Sequence, residues 1–155
     1  MNVEVARNEA LMLMNEHGLL DDGWKFKLDG AKRRFGLCMY RTKVISLSKA
    51  LVELNEFDQV KDTILHEIAH ALVGAGHGHD NVWRRKALEI GCNGKRCYSA
   101  KEVTRVKGKY IAICNTCKNE SYKFKKPSPR LQYSCGKCSK VFDPNNVLTY
   151  TLVQD

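Results

Sequence analysis

A chain of 155 residues with 43% hydrophobic and 28% charged side chains, but only 3 Pro and 11 Gly, can bury one good core or two small ones; disordered, collagen-like and low-complexity classes are excluded. Lys and Arg total 26 against 17 Asp and Glu, a net charge of +9. The surplus is confined to one end: residues 1–91 hold 13 basic and 13 acidic side chains, whereas residues 92–155 hold 13 and 4.

In chain order, Val3, Ala6, Ala10, Leu11 and Met14 recur at helical spacing up to a stop at Gly18. Trp24, Phe26 and Leu28 alternate with charged residues and predict a strand, while residues 35–40 and 44–47, on either side of Arg41-Thr42-Lys43, predict a hairpin. Ser48 caps a short helix through Leu54. Between residues 58 and 73, Val60, Ile64, Leu65, Ile68, Ala69 and Leu72 mark the clearest helix in the chain, ended by a Gly-rich segment at 74–78. A turn at residues 77–80 leads into a helix carrying Val82, Trp83, Ala87 and Leu88, capped by Asp80 or Asn81 and stopped at Gly91. Beyond it the apolar runs are short and β-rich, at residues 110–113, 122–124, 131–133 and 147–152.

The long helix contains His66-Glu67-Ile68-Ala69-His70, an HExxH motif. Residues four apart lie one above the other on a helix face, so both imidazoles can reach one Zn²⁺. Glu67 sits about 100° round the helix, beside the ion rather than on it, placed to accept a proton from water. The bland alternative, two surface histidines and a salt-bridging Glu, fits poorly with a helix this apolar. A metzincin pattern needs Gly at 73 and His at 76, where this chain has Val73 and Gly76, so that subclass is excluded. His77, His79 and Glu89 compete for the third ligand position. His79 is preferred, because Trp83 of the helix it precedes can pack against the metal-bearing helix; His77 would then face the open side as a hydrogen-bond donor.

Cys114-Asn115-Thr116-Cys117 and Cys135-Gly136-Lys137-Cys138 are two CxxC knuckles separated by 17 residues, the spacing of a closed structural Cys₄ zinc site. Cys92 and Cys97 fit no standard site and read as small residues or a redox pair, while Cys38, between Leu37 and Met39, reads as core. Paired knuckles point to metal in a reducing compartment rather than a disulfide framework. The N-terminus, with Glu4 and Glu9, lacks the pattern of a secretion signal, and no apolar run is long enough for a membrane helix. The chain therefore reads as cytoplasmic, with no membrane partner.

On or beside the ribbon, Lys107, Lys109, Lys118, Lys123, Lys125, Lys126, Arg130, Lys137 and Lys140 are interleaved with Tyr110, Tyr122, Phe124 and Tyr133. Such lysines neutralise phosphates without reading sequence, and exposed aromatics stack on unpaired bases. Taken singly, Tyr133 and Phe124 are better explained as core. The charge asymmetry favours nonspecific nucleic-acid binding.

The run Ala31-Lys32-Arg33-Arg34-Phe35-Gly36 with its following strand, the HEIAH helix, His77-Gly78-His79-Asp80 with Trp83, and the CxxC ribbon together resemble the SprT-like zinc metalloprotease family, which includes the Spartan proteases. The resemblance runs from about Trp24 to the ribbon. In that family the third ligand is a His followed four positions on by an aromatic residue, which His79 and Trp83 match. It implies an α+β fold: a compact zincin-like domain, expected at residues 1–91, with strands beside the metal-bearing helix, then a basic Cys₄ zinc ribbon at residues 92–155. It further implies one catalytic and one structural Zn²⁺, and DNA-stimulated hydrolysis of DNA-bound or DNA-crosslinked proteins with Glu67 as general base. The rival expectation, from another class, is a nucleic-acid-binding regulator with a non-catalytic metal site.

Overall fold

Asn2 opens helix α1 (Val3–Glu16) by accepting the Glu4 and Val5 backbone N–H groups on its side chain, and the chain leaves the helix through Gly18 at φ 71°. That left-handed conformation is one that only glycine takes without strain. The helix buries Ala6, Ala10, Leu13 and Met14, a single stripe, against α3 (Phe57–Val73), whose Val60, Ile64 and Ile68 are wholly inaccessible. The small alanines let the two helices approach, and Lys61 adds an ion pair to Glu9 at 3.0 Å.

Three strands complete the layer beside α3: β1 (Lys25–Asp29), β2 (Gly36–Met39) and β3 (Val44–Ser48), in the order β1-β3-β2. The expected hairpin is β2–β3, turned through a 3₁₀ segment at Tyr40–Thr42 and Lys43 at φ 48°. The β1–β3 pairing is parallel, which local sequence patterns do not specify. Ile45 and Leu47 of the central strand are fully buried. Ser48 caps the short α2 (Lys49–Leu54) by accepting Leu51 N–H at 3.2 Å, and Asp80 caps α4 (Asn81–Glu89) by accepting Val82 and Trp83 N–H groups.

The computed structural model describes residues 1–96, 98 and 102–153, and the chain divides into two compact units, Met1–Val106 and Lys107–Asp155. The division thus falls 15 residues beyond the charge boundary at Gly91. Residues after α4 belong to the first unit because specific contacts hold them there: Cys92 enters its core, Asn93 N–H donates to Asp62 at 2.7 Å, and Tyr98 hydrogen-bonds Asp62. Buried Asn55 both donates to the Thr104 carbonyl and accepts its N–H. Cys97, which the sequence left as a partner for Cys92, lies outside the described residues. Burial pushes the Cys92 thiol up to about 12, as expected of an inert core cysteine.

The second unit is an antiparallel sheet of β4 (Tyr110–Ile113), β5 (Glu120–Lys123) and β6 (Thr151–Leu152), ordered β5-β4-β6. The apolar run at 131–133 forms no strand; the chain there contributes one bridge, Ser134 to Val147. The buried core of this unit is Ala112, Cys114, Cys135 and Leu148, with Tyr133 and Tyr150 packed against it. Among the described residues no helix is long and apolar enough to cross a membrane.

Candidate active site

His66 and His70 project from one face of α3, and the loop before α4 brings His79 to them: its Nε2 lies 3.0 Å from that of His66 and 3.1 Å from that of His70. Two nitrogens bound 2.0–2.1 Å from one tetrahedral ion should lie about 3.3 Å apart, so the three rings fit a single zinc. Burial, together with the neighbouring rings, holds His66 down to about 3 and His70 down to about 4; both stay neutral, with lone pairs available. His66 is hydrogen-bonded to the backbone of Lys95 and His70 to that of His77, in the sense that favours a ring N–H donating to a carbonyl. Such partners fix ring direction.

Trp83 is the floor of the site. It is fully buried, stacks on His70 at 5.2 Å between ring centroids, and meets His66 and His79 edge-on at 4.6 Å. The other two candidates are elsewhere. His77 pairs its Nδ1 with Asp80 at 2.8 Å, and Glu89 accepts from Lys86 Nζ at 2.7 Å on the exposed side of α4. Trp83→Ala should cost about 3–5 kcal/mol of stability and weaken metal affinity about 10- to 100-fold, read by thermal melts and a zinc-chelator titration.

Residues 9–105 match the SprT-like family. The chain belongs to the SprT-like family. Comparison with curated proteins returns no match.

In this SprT-like unit, the three imidazoles line a cavity of about 480 Å³ with Glu67, the β2 residues Gly36, Leu37 and Cys38, and the rings of Phe35, Tyr40 and Tyr98. Glu67 is 7% exposed, wedged between α3 and β2. Burial pushes its carboxyl up to about 8, against the pull of the Arg34 charge and a hydrogen bond from the Cys38 backbone. Arg34 is itself held by Asp29 at 2.8 Å. Cys38, half-buried, packs against the core as its apolar neighbours suggested and also lines the cavity wall.

Gly36 is the site residue that the spacing arguments missed. A Cβ there would lie 2.5 Å from Oε1 and 2.7 Å from Cγ of Glu67, so only glycine leaves room for the carboxylate beside the strand. Gly36→Ala should displace Glu67 by a fraction of an ångström or more and lower peptide hydrolysis on the order of 100-fold with bound zinc unchanged, checked by a peptidase assay beside zinc analysis.

In the second unit the four cysteine sulfurs gather, Cys114 to Cys138 at 3.7 Å and Cys117 to Cys135 at 3.6 Å, against about 3.8 Å for thiolates 2.3 Å from one tetrahedral ion. The Cys117 backbone N–H, with that of Thr116, lowers the Cys114 thiol below its usual range against the effect of burial. This is the chemistry of a structural zinc knuckle. Of the nine basic residues expected to meet nucleic acid, eight are exposed and Lys123 is half-buried, its Nζ over the rings of Tyr133 and Tyr150. Lys107 lies over Tyr122 and pairs with Glu120 at 3.8 Å. Tyr122 and Tyr133 therefore already have cationic partners within the ribbon.

Proposed function

We propose that this chain is a DNA-associated zinc metalloendopeptidase that hydrolyses peptide bonds of proteins bound or crosslinked to DNA. The carrying observation is the convergence of His66, His70 and His79 beside a buried carboxylate in a cavity bordered by an edge strand. His66, His70 and His79 would hold a zinc ion, which would supply Lewis acidity toward a carbonyl and lower the pKa of water toward about 7. Glu67 takes the proton of the attacking water and returns it to the departing amine. Arg34 and the Cys38 N–H steady the carboxylate between these transfers.

The substrate would be held by β2. Phe35 uses its carbonyl to accept Ser48 N–H at 2.8 Å, so the main-chain groups of Gly36 and Cys38 face away from β3, toward the cavity, where the Cys38 N–H is taken by Glu67 and the Gly36 groups and Cys38 carbonyl are left for a peptide. An extended peptide pairing there gains main-chain hydrogen bonds that are indifferent to side-chain identity. Targeting would then come from DNA, gathered by the lysines of residues 107–140, which raises the local concentration of enzyme around a DNA-bound protein.

The test is incubation of zinc-loaded protein with a DNA-binding protein substrate, with and without DNA. Cleavage is expected to be faster with DNA. If about four basic side chains contact phosphates, affinity should fall on the order of 100-fold between about 50 and 200 mM salt. Cleavage indifferent to DNA, or DNA binding indifferent to salt, counts against the DNA-directed part of this reading.

A further inference from the structure

The cavity over the imidazoles is lined by four arginines, Arg33, Arg34, Arg96 and Arg105, and by one carboxylate, Glu67. This is a local concentration rather than a sample of the unit's surface, since residues 1–106 as a whole hold 17 basic and 14 acidic side chains. Arg34 is committed to Asp29. Arg96 and Arg105 come from the segment after α4; both are exposed, and among the described residues neither forms an ion pair. Their backbone is nonetheless anchored at both ends, at Asn93 by Asp62 and at Thr104 by Asn55. Exposed guanidinium forks that line a cavity, with no ion-pair partner among the described residues, are suited to bind carboxylate or phosphate groups arriving with a ligand.

A peptide carboxylate is favoured over a phosphodiester strand. The same cavity is also lined by the apolar Phe35, Leu37, Leu51 and Val103, and by residues of the edge strand β2. Those features suit polypeptide. We propose that Arg96 and Arg105 form a subsite for an acidic side chain, so that the preferred substrate carries Asp or Glu close to the bond cleaved; this rests on the peptidase reading of the same cavity.

Binding, rather than turnover, separates the two. In the zinc-loaded Glu67→Gln protein, fluorescence anisotropy is measured with end-blocked peptides identical except for a Glu-Glu, Gln-Gln or Lys-Lys pair. The Glu peptide should bind about five- to tenfold more tightly than the Gln peptide, and the Lys peptide most weakly. The double change Arg96→Gln and Arg105→Gln should bring the Glu peptide to the affinity of the Gln peptide, and Arg96→Glu with Arg105→Glu should invert the order in favour of Lys. A Gln peptide with a free C-terminus that binds as tightly as the blocked Glu peptide would mean the arginines read a chain end instead, overturning the side-chain subsite. Equal binding of Glu and Gln peptides, or a preference that survives both double variants, overturns it too. So does an oligonucleotide that displaces the Glu peptide and itself loses affinity in the Gln variant. Acid-selective binding together with no cleavage by the zinc-loaded native protein would instead refute hydrolysis and leave the subsite standing.

Discussion

Glu67→Gln is expected to lower peptide hydrolysis by about 10²- to 10⁴-fold while zinc content and melting temperature are retained. The amide has the shape of the carboxylate and fills the same niche beside Gly36, but it cannot accept a proton. Because Glu67 is buried, exchanging it for a neutral group of the same shape leaves no unpaired buried charge and no cavity, and the fold should tolerate it. The measurement is a steady-state peptidase assay alongside metal analysis. Near-native turnover would assign the proton transfer to some other group.

The second large effect is expected at the ribbon. Cys135→Ser should abolish the structural zinc equivalent, leaving one zinc per chain instead of two, and should unfold residues 107–153 while the first unit keeps its structure. The reason is the size of the core: of its four buried residues two are cysteines, and Ala112 with Leu148 alone cannot offset the entropy of ordering some 45 residues. Hydrogen exchange resolved by segment, with zinc stoichiometry, reads both outcomes. Persistent protection across β4 and β5 in the variant would show that the sheet stands without metal.

These two predictions draw on different kinds of information. HExxH and the paired CxxC knuckles act over one helical turn or one tight turn, so their geometry follows from backbone periodicity, and the residues could be named before any contact was known. The same holds for α1, α3, α4 and the β2–β3 hairpin, whose apolar spacing and caps are local. His79 needed more: its choice over His77 and Glu89 turned on Trp83, and only the packed loop shows all three rings resting on one indole while His77 turns to Asp80.

What lay beyond reach of the sequence is whatever depends on segments far apart in the chain. The unit boundary at Val106 is set by Asn55–Thr104 and Tyr98–Asp62 contacts, 36 to 49 residues apart, which a charge count cannot see. The parallel β1–β3 pairing, the niche that Gly36 leaves for Glu67, and the arginines of residues 96 and 105 over the imidazoles likewise arise from chain crossings. The amino-acid order by itself determined which side chains carry the chemistry, because ligand spacing is a property of neighbouring residues. Tertiary packing alone decided what surrounds them, because burial, charge and open space at a site come from elements that meet only when the chain has folded.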